Sequence, residues 1–508
     1  MQNAQARRVF GYVLAVFAGL VALAALRPGF DFAKHETDML HLVDIVLRLE
    51  GGARLHEDVM TPLGFWSVAP FVLLKQAGLG LGAALKWGQI AVAALLVLPA
   101  CWVGVSRMRS VPLAVAFAAA VLLLAAGLVY GGADAKLSLS MHYNRWAWAV
   151  VFPALALVVL PAQRAGFWAD ALVIGAAMAA LVLIKATYFV AFAPAVIFGL
   201  LLRGQGKVLA GAVAVGLSVL AVQTLFLGLG FWQAYVGDLL AVAASEVRPQ
   251  PGQGWAQVML SPAYAAGTLL AMGSVLWLRS KHKDEPAGLI LALVLPGAIY
   301  VSYQNFGNDP LWLVLWGLLF LALAARYNGE RWLGLVGALA LALAASPLLN
   351  IATSPLRHVL QPQAAFAPLL AAHPDLRGVE ARFGPPLGTF ALGEEDGQCT
   401  LAGGAVAHMR LMAQRLEDAG LGGEPAYVAG LFNTLWMFGD FVPLTGGAPW
   451  YYGGLPGIES ARLFVLPECS FKPAFKELVM QEITRRGIVL TPVYQDDILA
   501  AFRLQLPK

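Results

Sequence analysis

Residues 31–66 read DFAKHETDMLHLVDIVLRLEGGARLHEDVMTPLGFW, and they crowd Asp31, Glu36, Asp38, Asp44, Glu50, Glu57 and Asp58 directly behind a first apolar run at 9–26. The rest of the chain gives that crowding its meaning. Apolar residues make up 59% of the 508 and charged residues 13%, at a mean hydropathy of +0.71, a balance that excludes a soluble globule. The carboxylates therefore gather where a polytopic membrane chain leaves the bilayer. Chemistry or ion movement is the expected use of such a loop.

Working outward, apolar runs of the roughly 17–25 residues that cross a bilayer recur as far as Leu349 and then stop. They predict about eleven transmembrane helices, at 9–26, 86–105, 111–130, 146–161, 167–184, 186–202, 208–228, 257–278, 287–303, 310–325 and 332–349. The first follows Arg7 and Arg8, lacks a small-residue cleavage site and reads as an uncleaved anchor. With the N-terminus inside, Arg107, Arg109, Arg164, Arg203, Lys207, Arg279, Lys281, Lys283, Arg326 and Arg331 fall on inner turns. The opposite short loops hold Lys136, Arg145, Lys185 and Arg248, an asymmetry that orients the chain. It also requires the apolar run 62–78 to dip into the outer leaflet without crossing. The basic residues form no continuous patch, so no nucleic-acid partner is expected.

The fold class expected is an all-α polytopic membrane protein with a C-terminal soluble α/β domain. Residues 1–349 form the membrane domain, with 27–85 as its external juxtamembrane loop, and 350–508 the external domain. In the latter, helices are expected at 405–418 and 473–485 and strands near 462–466, 488–494 and 498–504. Cys101 lies within a span as a small hydrophobe. Cys399 and Cys469 lie outside, where an oxidising compartment permits a disulfide. Richness in Ala, Gly and Leu suits a bacterial source.

Within the acidic loop, Leu40, Val43 and Leu47 share one helical face and His41, Asp44 and Arg48 another, so an amphipathic helix is predicted along the membrane surface. Thr37 is its expected N-cap and Gly51-Gly52 its stop. Asp38 reads equally as a first-turn carboxylate favoured by the helix dipole. Glu36, Asp44, Glu50 and Glu57 read first as solvated faces.

The order of these features resembles the GT-C class of membrane glycosyltransferases, which includes protein O-mannosyltransferases, aminoarabinose transferases and oligosaccharyltransferases. The elements are a first span, Glu36-Thr37-Asp38 ahead of the amphipathic helix, Gly51-Gly52, and His56-Glu57-Asp58 before Thr61-Pro62-Leu63-Gly64-Phe65. The resemblance covers residues 1–349 and departs from the class in lacking a literal Asp-Glu pair. It implies an inverting transfer of a sugar from a polyprenyl-phosphate donor to a glycan, lipid or protein acceptor at the outer face of a bacterial inner membrane. The catalytic carboxylate is then Asp38, with Glu36 and Asp58 as the other candidates. No organic cofactor is implied, and a divalent metal is left open. A transporter or flippase of a lipid-linked saccharide is the alternative; it calls for polar residues at mid-span and a repeated half, and neither is evident.

Candidate substrate-binding residues follow. Lys185 interrupts the apolar stretch LVLIKATYFVAF at an external turn, where it either snorkels or meets an anion; the resemblance implies the lipid phosphate. Arg145, closing the segment His142-Tyr143-Asn144-Arg145, has the fork that grips phosphate, and His142 is a second donor, while Tyr143, Trp146 and Trp148 also suit an interfacial anchor. Asp134 resembles the second acidic residue of the class and equally suits a solvated turn. Asn305, Asn308 and Asp309 form an amide-rich turn suited to sugar hydroxyls or to starting a helix. The segment 229–256, with Glu246 and Arg248, is expected to be a mobile loop over the substrate. Pro449-Trp450-Tyr451-Tyr452 reads as buried aromatics or as a carbohydrate-stacking surface. No zinc-ligand spacing, phosphate loop, nucleophile elbow or dinucleotide fingerprint is present.

Overall fold

A computed structural model describes residues 2–131, 134–245, 247, 256, 260–280, 285–304, 310–379, 404–469 and 473–507. The membrane part is helical: α1 (Gln2–Ala25), α2 (Glu36–Glu50), α3 (Ala69–Gln76), α4 (Leu81–Arg107), α5 (Val111–Ala126), α6 (His142–Val159), α7 (Phe167–Leu202), α8 (Gly206–Ala243), α9 (Pro262–Ser280), α10 (Glu285–Gln304), α11 (Trp312–Arg326), α12 (Arg331–Leu343) and α13 (Ala345–Leu360). Among the described residues five of these, α1, α4, α7, α8 and α10, are long and apolar enough to cross a membrane, and α12 with α13, bent by 60° at their junction, would make a sixth. Large apolar side chains such as Leu95, Leu98, Trp168, Leu225 and Phe226 stand exposed on them, as lipid-facing surface does. The α12–α13 bend interrupts the span expected at 332–349.

α7, at 36 residues, is twice the length of a crossing, and Lys185 (φ −158°, ψ 102°) interrupts its helical backbone. Near its start Asp170 accepts Arg107 Nη2 at 2.7 Å, while Arg107 Nε also donates to the Leu157 carbonyl. Just past its end Arg203 Nε donates to the Val158 carbonyl at 2.7 Å. Both ends of α7 thus meet the C-terminal end of α6. Lys185, by contrast, donates to Asn144 Oδ1 at 3.0 Å beside the N-terminal end of α6. The helix therefore folds back at Lys185 into two antiparallel legs, where the sequence separated 167–184 from 186–202. The run 62–78 holds α3, whose eight residues fall well short of a crossing.

α8 departs from expectation. Its backbone breaks at Gly228 (φ 80°) but resumes and runs on to Ala243, so the part of the expected loop from 229 to 243 is helix. That second leg docks on α7 and on the acidic loop: Tyr235 Oη donates to the Val182 carbonyl of α7 at 2.9 Å, and Asp238 Oδ2 lies 2.8 Å from His56 Nδ1 and accepts the Thr61 N–H. Glu246 and Arg248 lie outside the described residues.

α13 runs unbroken through residue 350. After it, β2 (Phe366–Leu370) and β3 (His373–Val379) pair antiparallel, and β3 pairs parallel with β1 (Phe30–Phe32) from the start of the acidic loop. Asp31 fastens this sheet, accepting Arg27 at 2.7 Å and Arg377 at 2.7 and 2.8 Å, and is buried rather than at the surface. A second sheet of β4 (Ala426–Val428), β5 (Leu463–Pro467), β7 (Leu499–Gln505) and β6 (Val489–Gln495), in that spatial order, packs with α14 (Gly404–Asp418) and α15 (Pro473–Arg485) around Met412, Leu416, Tyr427, Phe464 and Val479. Cys101 is a buried free thiol and Cys469 is disulfide-bonded; Cys399 lies outside the described residues.

Candidate active site

α2 starts one residue before its expected cap. His35, in the left-handed region (φ 57°), precedes it and contributes no side-chain cap, and Gly51 with Gly52 (φ 95°) ends it. Met141, which precedes α6, is also left-handed (φ 51°). A non-glycine residue held there costs energy that its surroundings must supply. These two positions set the starts of the two helices that face each other across one cleft.

Asp38, His41 and Leu42 of α2 form one wall of that cleft. Leu139, Met141, His142 and Tyr143 form a second, Pro62 and Leu63 a third, and Trp450 with Tyr452 of the C-terminal domain close it. Its interior holds about 30 Å³, room for water rather than a sugar, so a sugar would enter only as the walls part. Asp38 Oδ2 accepts the Ser140 hydroxyl at 2.6 Å and lies 4.0 Å from His35 Nδ1. Burial holds the His35 imidazole below its ordinary value, against the pull of Asp38.

Behind Tyr143 stands Lys185, its ammonium 5.0 Å from the ring centroid and bonded to Asn144. The break in α7 that presents it rests on the acidic loop. The Gly64 N–H donates to the Ile184 carbonyl at 3.1 Å, and a Cβ on Gly64 would overlap the Leu183 backbone. His142 is buried, its Nε2 2.8 Å from the Ser67 carbonyl and its Nδ1 3.1 Å from that of Leu139, so only its ring borders the cleft.

Other expected residues are engaged elsewhere. Arg145 is fully buried and is not among the residues lining the cleft. It donates to the Leu124 carbonyl in the last turn of α5 at 2.7 Å and faces Gln89 at 3.3 Å, the position of a cation closing a helix C-terminus. Asp58 caps the Arg54 N–H at 2.8 Å and gives its carbonyl to the Gly446 N–H. Asp134 pairs with Lys34, and that ammonium holds its carboxyl below the usual range. Glu36 opens α2 but does not line the cleft. Asn305, Asn308 and Asp309 lie outside the described residues. Asp44, read as part of a solvated face, is buried beneath the C-terminal domain. Sequence reasoning did not single out Ser140, His35 or His41 as site residues; all three reach Asp38 or its cleft. Among the described residues no three of His, Cys, Asp and Glu converge on a metal-sized site.

No protein-family model matches this chain, and no curated protein matches it by sequence. Among solved structures it aligns with ArnT from Cupriavidus metallidurans in the apo state, at 12% identity and a TM-score of 0.40, over 97% of each chain. At those values the likeness by itself decides neither fold nor chemistry.

Proposed function

We propose that this chain is a membrane glycosyltransferase that moves a sugar from a polyprenyl-phosphate donor to an acceptor hydroxyl, with eleven crossings and the cleft on the outer face of a bacterial inner membrane. The observation that carries the reading is the position of Asp38, a part-buried carboxylate in an aromatic-walled cleft with a lysine behind one wall. Asp38 is the general base. As the acceptor oxygen attacks the anomeric carbon, its proton passes to Asp38 Oδ. The bond from that carbon to the phosphate oxygen breaks with inversion, and polyprenyl phosphate leaves with the electron pair. Such a base must lie within hydrogen-bond reach of its nucleophile, and Asp38 lines the cleft that an acceptor would enter. Lys185 meets the charge that builds on the phosphate, while Ser140 holds the Asp38 carboxylate in one orientation. A glycan, lipid or protein would serve as acceptor, and the sugar is selected by the aromatic walls.

Release of polyprenyl phosphate by purified protein, given a panel of polyprenyl-phosphate sugars and an acceptor extract, tests this. Asp38→Asn should lower turnover by about 10²–10⁴-fold, the range a general base contributes. Lys185→Ala should raise KM for the donor by about ten-fold or more, the loss of roughly one charge-assisted contact. Turnover undiminished in Asp38→Asn would move the base to Glu36 or dismiss the reading.

A further inference from the structure

The C-terminal domain touches the cleft with two aromatic side chains and grips α2 one turn further along. Asp44 has no solvent exposure and Arg48 only 5%. Their ion pair, Oδ1 to Nε at 3.0 Å, is sealed from above when Trp436 Nε1 donates to Asp44 Oδ2 at 2.6 Å. Arg48 Nη1 then donates to the Leu444 carbonyl at 2.8 Å. The backbone continues the grip, because the Gly446 N–H donates to the Asp58 carbonyl at 2.8 Å and the Met60 N–H to the Gly447 carbonyl at 3.1 Å.

Three residues beyond Gly447 comes Trp450. Three residues extend at most about 10 Å, so wherever Gly447 is fixed, Trp450 is confined. Its ring meets His41 edge-on with centroids 6.1 Å apart and is braced from behind by Phe432 at 5.2 Å; Tyr452 Oη lies 3.5 Å from His41 Nε2. A buried ion pair is a poor source of stability, since desolvation offsets most of its attraction, and its best-attested use is to fix one arrangement among several. Burial indeed pushes the Asp44 carboxyl up to about 6 in spite of Arg48 and Trp436. A pair retained at that cost, beside a cleft it does not line, points to register.

We propose that Asp44, Arg48 and Trp436 form a positioning clamp that sets the Trp450–Tyr452 wall of the C-terminal domain over Asp38, and that this wall stacks on the ring of the transferred sugar. The proposal rests on the glycosyltransferase reading for the sugar and on contacts alone for the clamp. It makes the C-terminal domain part of the binding site, with Asp44 acting through the aromatic wall and touching no substrate itself.

The test uses the full-length protein in detergent, with hydrogen–deuterium exchange and steady-state kinetics on the polyprenyl-phosphate sugar panel. Asp44→Ala, which strips both Arg48 and Trp436 of their acceptor, and the milder Trp436→Phe, which removes only the indole donor, should raise exchange together in 36–50 and 444–452 and leave α9 to α11 as in the wild type. Both should raise KM for the lipid-linked sugar about ten-fold, the scale of one aromatic contact, with kcat changed less than KM. Trp450→Ala should raise KM alike without loosening 36–50. Wild-type KM in Trp436→Phe and Trp450→Ala overturns the proposal, as does unchanged exchange in both clamp variants. If the wild type turns over no donor, the glycosyltransferase reading fails, and exchange alone then upholds or overturns the clamp.

Discussion

Ser140 is the side chain whose loss should speak most directly about Asp38. A hydrogen bond to a charged group is worth about 1.5–3 kcal/mol, and Ser140→Ala leaves the carboxylate free to turn from the cleft. The expected result is a kcat lowered by about ten-fold with donor KM little changed, read in the same turnover assay. Asp44 supplies a pH prediction at the same scale. Its carboxyl rises from 3.8 to about 6 on burial, so the docked state binds the proton more tightly than the undocked one. Docking is then favoured fully below about pH 4 and loses on the order of 1–3 kcal/mol as pH rises through about 6. The groups facing it are Arg48 on its own helix and Trp436 from the domain above. Protection in 444–452, taken relative to the base-catalysed intrinsic exchange rate, should therefore fall between pH 5 and 7 in the wild type, with a flatter profile in Asp44→Asn. These roles differ in how far a sequence reader could see them. Asp38 stands out by its place in the first turn of an amphipathic helix. Asp44 and Arg48, four apart on one face, look like an exposed pair until a domain made nearly 400 residues later covers them, and nothing local reports that.

The elements tell a similar story. The break in α7 was visible because a lysine in an apolar run has few tolerable surroundings, and the structure turns the chain there. The second leg of α8 was not, since Gly228 ends an apolar run whether the helix stops or only bends. Two variants test what these elements carry. Gly64→Ala drives a methyl into the Leu183 backbone, so it should displace the α7 break and with it Lys185. Raised donor KM and a lowered melting temperature are the expected pair of effects. Arg145→Gln strips the last turn of α5 of a buried donor, which should cost about 1–3 kcal/mol, measurable as a fall in thermal stability with donor KM unchanged. A donor KM that rises with Arg145→Gln at full stability would return that arginine to the phosphate.

For the whole molecule, the polar ends of the helices sort into two layers. Arg107, Asp170 and Arg203 gather at one end of α6, with Asp38, Asn144 and Lys185 at the other. With Cys101 replaced by serine, a membrane-impermeant maleimide applied to right-side-out spheroplasts should label Lys136→Cys and spare Arg109→Cys. Labelling of Arg109→Cys would dismiss the eleven-crossing topology. Charge asymmetry made the sorting of Arg107 and Arg203 from Lys185 legible, because it is summed over many loops and survives errors in any one. The closing of the cleft by Trp450 and Tyr452 was beyond it: an aromatic run reads alike whether it fills a domain core or faces a partner, and here Tyr451 does the first while its neighbours do the second.

The pairing of β1 with β3 has a consequence in time. The ribosome emits Phe30–Phe32 early and His373–Val379 some 340 residues later, roughly half a minute apart at about 5–20 residues per second. Throughout that interval the edge of β1 lacks its strand partner, Asp31 has Arg27 but not Arg377, and Asp44 has Arg48 but not Trp436. The nascent chain must therefore carry its cleft unfinished until its tail arrives, and a ribosome that stops early releases a membrane anchor whose cleft lacks the Trp450–Tyr452 wall.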